Sequence, residues 1–323
     1  MDKTGTLAAM GAILIGVGAT AVMADEDYPT QSIQVIVPFA AGGGGDFVTR
    51  GWSEKVAEIL EQPVLVENRS GGATIVGTDV VAQADPDGYT FLVANPNFVT
   101  NNFTADPPYD SMDDFEPVGL FTTYPMGLAV NSDLGIETVE DLLAHARENP
   151  GALNFGSSGT GSTSHLATLL LMDMAEIEMQ HVPYGGAGPA MADVAAGTID
   201  LMFTGLSQSV PHVEAGRARL IGMSSLEVLP NYPDVPPVQD TPDLDGFEAL
   251  VWWGLAAPAG TPAERIERMR DAVAEAMSDP DVAATYEVLD GDTTVSTPEE
   301  FGNFLQSEYE RWSRIIEEAD LEE

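Results

Sequence analysis

Four glycine-rich turns hold the residues most able to do chemistry in this chain of 323 residues. Each turn lies between an apolar, strand-like run and the start of a helical pattern, at residues 42–45, 68–72, 156–162 and 184–188. Glycine at such a position lets backbone N–H groups of a helix start approach and bind an anion. One turn alone is often only a tight connection. The four turns form two pairs roughly 115 residues apart, which favours one shared anion site built by two similar halves of the chain.

The side chains around these turns match no common catalytic or cofactor motif. Phe47 and Val48 occupy the candidate third-glycine positions of GxGxxG, no P-loop is present, and Ser157 and Ser158 do not complete GxSxG. The four histidines are not at HExxH spacing, and lie at His145, His165, His181 and His212. The chain has no cysteine, which excludes disulfides, thiolate metal sites and cysteine nucleophiles. We therefore expect no enzyme activity, no cofactor and no metal.

Several polar residues beside the turns have two interpretations each. His165 lies in the first turn after the serine- and glycine-rich loop, where it can contact a ligand or a neighbouring carbonyl. Asp46 favours helix capping, and orienting a ligand is its alternative. Arg50 and Arg69 are candidate anion partners, although Arg50 can instead pair with Glu54 one helical turn further on.

The elements that must position these turns alternate between strands and helices. Apolar runs predict strands at 33–39, 64–66, 153–155 and 179–182, each followed by its turn and then a helix ending near residue 60, 83, 174 or 196. Further strands are predicted at 91–94, 128–130, 200–203, 220–223 and 250–257. Continuous apolar strands between helices indicate a mostly parallel sheet covered on both faces, in two α/β lobes.

Two helices near the C-terminus have recognisable start signals. Thr261 and Thr297 each precede a proline, and Glu264 and Glu300 follow three residues later. This spacing predicts a capping box at both helix starts. Apolar residues at helical spacing in the second helix predict a packing stripe, made of Phe301, Phe304, Leu305, Trp312, Ile315 and Ile316.

Charge excludes whole classes of partner. The chain has 52 acidic and 12 basic residues, for a net charge of -40. Nucleic-acid binding is excluded because phosphate contacts need Lys and Arg, and anionic lipid surfaces are disfavoured for the same reason. Lys3 and Lys55 are the only lysines. An acidic, lysine-poor surface favours a high-salt environment, and a surface without special meaning is the alternative.

The first 24 residues predict export. Lys3 precedes an apolar run over residues 7–23 that ends in small residues, and three acidic residues follow Ala24. This pattern is typical of a signal peptide cleaved near Ala24. The alternative is an uncleaved anchor, since about 17 apolar residues are the lower limit for crossing a bilayer. We expect an exported protein, and the family resemblance described next implies a periplasmic one.

Eight segments, in their order and spacing, are similar to one known family. The segments are 28–29, IVPFAAGGGGD (36–46), VENRSGG (66–72), DPDGYTFLV (85–93), PPYDSMDDFEPVG (107–119), NFGSSGTGSTSHL (154–166), VPYGGAGPAMAD (182–193) and APAGTP (257–262). Together they resemble the periplasmic solute-binding proteins of tripartite tricarboxylate transporters, the Bug or TctC-like family. The resemblance implies a two-lobed Venus-flytrap fold, each lobe a mostly parallel sheet flanked by helices. Two crossovers near 124–129 and 249–254 would separate lobe one (25–126 plus 251–323) from lobe two (127–250).

The same resemblance implies a function and a set of contacts. A monomer would hold a small carboxylate (a di- or tricarboxylate or an aromatic acid) between its lobes and deliver it to membrane transporter subunits. The family's loops carry over to Phe39, Gly43, Gly44, Asp46, Gly72, Ala73, Ser158, Ser162, Thr163, His165, Tyr184, Gly185 and Thr204. The second loop departs from the family's usual sequence at residues 70–74.

Three functions are therefore considered for this sequence. The first is solute capture for transport, and the second is a ligand-loaded partner of a membrane sensor kinase. The third is a hydrolase using His165 and a serine of the same loop, for which the sequence offers no base–orienter pair. Helix dipoles at the cleft act locally while distant surface acids are screened, so carboxylate binding is expected to survive in high salt.

Overall fold

Nine strands form one continuous sheet in the computed structural model of the protein, which describes residues 28–318. The strands are β1 (Ile33–Val37), β2 (Val64–Asn68), β3 (Thr90–Ala94), β4 (Phe115–Asn131), β5 (Asn154–Ser157), β6 (Gln180–Pro183), β7 (Leu201–Gly205), β8 (Ala218–Met223) and β9 (Leu250–Pro258). Their order is β2-β1-β3-β9-β4-β7-β5-β6, and β8 also pairs with β4. All predicted strands are present, most with ends shifted by a few residues, but the strand predicted at 128–130 is much longer and begins at Phe115.

Helices cover this sheet. They are α1 (Gly44–Leu60), α2 (Ile75–Ala82), α3 (Pro96–Thr104), α4 (Val139–Glu148), α5 (Thr163–Ala175), α6 (Ala187–Ala196), α7 (Leu206–Glu214), α8 (Ala263–Met277), α9 (Pro280–Tyr286) and α10 (Pro298–Glu318). The four predicted strand–turn–helix units are confirmed as β1-α1, β2-α2, β5-α5 and β6-α6. None of the helices within residues 28–318 has the length and apolar run that a bilayer crossing requires. The predicted signal peptide lies outside the described residues.

The sheet has a parallel group at each end and an antiparallel centre. β1 pairs in parallel with β2 and β3, and β5 pairs in parallel with β6 and β7. The central strand β4 runs antiparallel to β9 through residues 115–125, and antiparallel to β7 and β8 through residues 126–131. One long strand therefore belongs to both halves of the sheet. The first lobe is built on β1–β3 and β9, and the second on β5–β8; the predicted lobe boundaries stay a prediction.

The two lobes have separate apolar cores, and α10 joins them. In the first lobe Trp52 and Phe121 are fully buried and meet edge to face at 5.8 Å between ring centroids. Phe301, near the start of α10, belongs to a first-lobe cluster, whereas Trp312 and Ile316, near its end, pack in the second-lobe core. The predicted packing stripe of this helix is therefore confirmed. Its burial against both lobes removes apolar area from water and stabilises the fold.

The two predicted capping boxes have different outcomes. At α10 the prediction is confirmed: Thr297 Oγ1 accepts from the N–H of Glu300 at 3.2 Å, and the carboxylate of Glu300 accepts from the N–H of Thr297 at 2.8 Å. At α8 it is wrong. That helix begins at Ala263, and the Thr261 hydroxyl instead donates to the carbonyl of Pro258 at 2.7 Å. The Thr261 side chain is buried at the end of β9 and bonds the turn there rather than the helix.

Candidate functional site

A cleft of about 740 Å³ opens between the two lobes, where three of the four glycine-rich turns meet. The first lobe contributes Phe39, Ala40, residues 42–44, Phe47 and Val48 around the first turn, and the start of α3. The second lobe contributes Ser158 and residues 162–164, 185–188 and 203–208. The antiparallel centre of the sheet adds Tyr124, Met126, Val251 and Trp253. The carboxyl ends of both parallel groups face this cleft, as expected for ligand sites of open α/β sheets.

Five helices begin at the wall of the cleft. The N-cap residues of α1, α3, α5, α6 and α7 all line it, and are Gly43, Asn95, Ser162, Gly186 and Gly205. Four of the five make no side-chain cap hydrogen bond. The first N–H groups of a helix have no partner within the helix, and each helix start carries about half a positive charge. The cleft therefore presents an array of backbone donors suited to an anion.

The lining contrasts with the rest of this acidic protein. Among the described residues that line the cleft, none is Asp, Glu, Lys, Arg or His. Hydroxyl groups stand there instead, on Ser158, Ser162, Thr163, Ser164 and Thr204. Neutral donors bind an anion without a fixed countercharge. The helix dipoles act directly at the cleft, whereas the effect of distant surface acids is screened by salt. Among the described residues, the charged side chains that give the chain its net charge thus lie outside the lining of the cleft.

Aromatic rings form an apolar part of the cleft wall. Phe39 and Trp253 meet edge to face at 5.3 Å between centroids, and Trp253 Nε1 donates to the hydroxyl oxygen of Tyr124 at 3.4 Å. Burial raises the pKa of Tyr124, so its phenol stays protonated. A Cβ at Gly45 would lie 2.9 Å from both Phe39 Cδ2 and Trp253 Cζ3. The turn needs glycine at this position because the two rings pack directly against its backbone.

The loop between β5 and α5 is ordered by its own hydroxyl groups. The Ser162 hydroxyl donates to the carbonyl of Gly159 at 2.6 Å, and Ser164 Oγ accepts from the N–H of Ser158 at 2.9 Å. Ser162 also caps α5 by accepting from the N–H of His165 at 3.4 Å. These bonds hold the loop in one shape before a ligand arrives, which lowers the entropy cost of binding.

The structure brings eight of the thirteen residues singled out from the sequence to the cleft wall. They are Phe39, Gly43, Gly44, Ser158, Ser162, Thr163, Gly185 and Thr204. The other five do not line the cleft, and are Asp46, Gly72, Ala73, His165 and Tyr184. Thr204 is 1% exposed, and its Oγ1 has no hydrogen-bond partner among residues 28–318. The roles of all thirteen residues toward a ligand stay predictions.

Asp46 supports the first glycine turn from behind. Its carboxylate accepts from the N–H of Gly42 at 2.9 Å and from Arg50 Nε at 2.8 Å. Burial opposes ionisation, but these bonds and the side chain of Asn68 hold its pKa below the ordinary value. The prediction that Asp46 caps α1 is wrong, because the helix begins earlier and Gly43 is its N-cap. Arg50 pairs with Asp46 rather than with Glu54.

Tyr184 and the second turn bond within the protein. The Tyr184 hydroxyl donates to the carboxylate of Asp193 at 2.7 Å, which ties the turn before α6 to that helix. Gly72 and Ala73 form a short left-handed turn, and the carbonyl of Ala73 accepts from Asn101 Nδ2 at 2.9 Å. The second turn therefore packs on α3 rather than on the cleft.

Sequence reasoning missed the contribution of α3 and of the central strands. Asn95 and Asn97 line the cleft at the start of α3, and Tyr124 and Trp253 line it from β4 and β9. Asn95 follows the apolar run 91–94 and is the N-cap of α3, with Pro96 at the first helical position. That signal lacks glycine, so the search for glycine-rich turns did not reveal it.

The fold and this cleft define a class of protein: two-lobed periplasmic binding proteins. The structure of the protein titled "MatC (Rpa3494) from Rhodopseudomonas palustris with bound malate" has a TM-score of 0.78 and 28% identity, covering 90% of this chain and 100% of that one. The structure titled "R. palustris Rpa4515 with adipate" has a TM-score of 0.79 and 29% identity, covering 90% and 98%.

The family follows from the sequence comparisons. The model described as "Tripartite tricarboxylate transporter family receptor" matches residues 48–321, and the chain belongs to this family. A relative from Pseudomonas sp. (strain P51), described as "UPF0065 protein in tcbD-tcbE intergenic region", is 39% identical over 295 residues, or 91% of this chain and 88% of the relative. The predicted family and two-lobed α/β fold are thus confirmed.

Proposed function

We propose that this protein captures a small organic carboxylate in the cleft and delivers it to a tripartite tricarboxylate-type membrane transporter. The observation that carries the proposal is the convergence of five helix N-termini on a wall whose described residues include no Asp, Glu, Lys, Arg or His. Such a wall favours an anion bound through backbone N–H and hydroxyl groups. Binding alone accounts for these features, and no nucleophile–base pair lines the cleft among the described residues.

The cleft wall offers two kinds of surface, which suit two parts of one ligand. The glycine turns at Gly44 and Gly185 offer backbone N–H groups, whereas the N–H of Gly43 donates to the carbonyl of Ala40 at 3.2 Å. Phe39 and Trp253 offer apolar surface. A carboxylate with a short hydrocarbon body satisfies both, since its charged end needs donors and its methylene or ring carbons gain by leaving water. Malate and adipate, present in the two related structures, have this composition.

The hydroxyl groups on the second-lobe side complete the proposed contacts. Thr204 Oγ1 is buried without a partner among the described residues, so a ligand oxygen nearby would satisfy it. Ser158, Ser162 and Thr163 stand on the same wall. Closure of the two lobes around the ligand would bring both walls into contact with it and exclude water.

A ligand screen tests the carboxylate assignment. The purified protein is melted with and without malate, adipate, succinate, citrate and benzoate, in high salt, with the neutral diamide of adipate as the matched control. A ligand that binds only the folded state stabilises it by about 2.7 kcal/mol at a hundred times its Kd. We expect a rise in Tm with one or a few carboxylates and none with the diamide. A folded, ligand-free protein whose Tm responds to no carboxylate, or equally to the diamide, refutes the assignment.

Delivery and export need separate tests. Deleting the chain's gene should abolish uptake of the radiolabelled carboxylate identified in the screen, and unchanged uptake would contradict delivery. Export with cleavage near Ala24 predicts that the protein recovered from the periplasm begins at residue 25. Recovery of a membrane-bound form that retains residues 1–24 would contradict cleavage.

A further inference from the structure

Two stacked histidines lie behind the serine- and glycine-rich loop, and the proposed function does not use them. His165 of α5 and His181 of β6 have ring centroids 3.8 Å apart and planes inclined by 15°. Phe155 of β5 stacks on the same pair, at 4.9 Å from His181. His165 is 1% exposed and does not line the cleft. Its role must therefore be exerted through another residue.

Both rings hold the ends of the loop over residues 157–161. His165 Nδ1 accepts from the N–H of Gly161 at 3.1 Å, and His181 Nε2 lies 2.7 Å from Ser157 Oγ. Because an N–H group faces Nδ1, the neutral His165 ring carries its proton on Nε2. Burial, and then His181, lower the pKa of His165 to about 3, so the ring is a neutral acceptor near pH 7.

The carbonyl of the same Gly161 peptide reaches the other lobe. It accepts from Asn97 Nδ2 and from Thr100 Oγ1, both at 3.3 Å, and both donors belong to α3 of the first lobe. Gly161 has a φ of +73°, a conformation that glycine adopts without steric cost. One peptide group is thus bound through its N–H by the buried imidazole and through its carbonyl by α3.

We propose that His165 is a positioning residue for ligand binding, whose unprotonated Nδ1 fixes the Gly161 peptide so that the loop presents its hydroxyl groups to the cleft and docks on α3. The inference rests on the proposed function for its effect on affinity. It does not need a ligand for its effect on the loop. A phenylalanine at this position would keep an aromatic ring for the stacking, although a larger one, but leave the Gly161 N–H buried without an acceptor.

The test compares side chains that keep or remove that acceptor. His165→Asn keeps an oxygen near the position of Nδ1, His165→Phe keeps the ring alone, and His145→Asn is a matched control on α4, away from the cleft. Hydrogen exchange of the Gly161 amide is measured without ligand. We expect exchange to rise about tenfold in His165→Phe and to stay within about threefold of wild type in the other two variants. Equal exchange in the Asn and Phe variants would overturn the proposal.

The α3 side is tested in the same way. Thr100→Val removes the hydroxyl donor with little change in volume, and Thr100→Ser retains it. We expect faster exchange over residues 157–162 in the Val variant only. Identical exchange in both variants would show that the loop does not depend on this bond, and would overturn the docking part of the proposal.

Affinity is read with malate and adipate as the probes. If either binds the wild type, His165→Phe should weaken Kd about tenfold and His165→Asn less than about threefold. If neither malate nor adipate binds the wild type, the result counts against the proposed function. Hydrogen exchange still decides the positioning role of His165 in that case. If His165→Phe fails to fold, nitrogen NMR of the wild-type imidazole decides instead. A proton on Nδ1 near pH 7 would overturn the inference, and a bare Nδ1 would support it.

Discussion

A single added charge at Gly185 tests whether the cleft recognises an anion. Gly185 lies between β6 and α6 and lines the cleft. A Cβ at this position meets no atom within 4 Å, and its backbone is outside the left-handed region. The Cβ of an aspartate therefore fits at this position without a clash. The substitution Gly185→Asp places a negative charge at a wall that otherwise offers only neutral donors.

The expected loss follows from the distance between the charges. A ligand carboxylate bound by this helix start would lie about 5 Å from the new carboxylate, and two unit charges at that distance repel by about 1 to 3 kcal/mol for an effective dielectric constant between 80 and 20. This corresponds to a Kd roughly 5- to 200-fold weaker. Because the cleft is open to solvent, added salt should move the loss toward the lower value.

Calorimetric titration with the carboxylate found in the ligand screen measures this effect. Gly185→Asn is the matched control, since it has the same size as Asp without the charge. We expect wild-type affinity within about threefold for Asn, a large loss for Asp, and a smaller loss for Asp at 1 M than at 0.15 M salt. Equal losses for Asn and Asp, or a loss for Asp that salt does not change, would refute recognition through charge.

Three further predictions concern stability and the cleft wall. Gly45→Ala should destabilise the fold by about 1–3 kcal/mol and change tryptophan fluorescence, because its Cβ would approach Phe39 and Trp253 to 2.9 Å; unchanged Tm and fluorescence would contradict the packing. His165 has a pKa lowered from 6.5 to about 3, so its share of stability is complete above pH 6.5 and decreases as pH falls toward 3. About 2 kcal/mol should be lost by pH 5 relative to a His165→Asn variant, measured by urea unfolding at each pH; parallel pH profiles would contradict it. Glu308→Ala should cost about 2–4 kcal/mol, because its buried carboxylate accepts from two indole N–H groups at 2.9 and 3.0 Å; a loss below about 1 kcal/mol in chemical denaturation would show that these bonds add little.

Local signals in the sequence were sufficient for the elements. The strands and helices of the four repeated units could be predicted because the apolar runs and glycine turns that specify them involve residues close together in the chain. The capping box at Thr297 formed as predicted, whereas Thr261 bonded the carbonyl of Pro258 at the end of β9. The same local pattern thus had two outcomes, because a carbonyl three residues upstream accepted the hydroxyl of Thr261.

Partners distant in the sequence escaped prediction. Phe39 and Trp253 are 214 residues apart, yet their rings meet at the cleft wall. Asn97 of α3 bonds the carbonyl of Gly161 across the two lobes. Neither pairing has a periodicity or spacing that a sequence pattern shows, because it depends on how the antiparallel centre of the sheet places β9 beside β1–β3.

The sequence by itself determined the strand–turn–helix units, the acidic charge, the lack of cysteine chemistry and, through its eight segments, the family. Only the tertiary structure decided which turns line the cleft, that five helix starts converge there, and that His165 supports the loop from behind rather than facing the cleft. The physical reason is range. Helix and turn formation depends on neighbours in the chain, whereas a cleft is made by the ends of elements whose relative positions are set by long-range strand pairing and core packing.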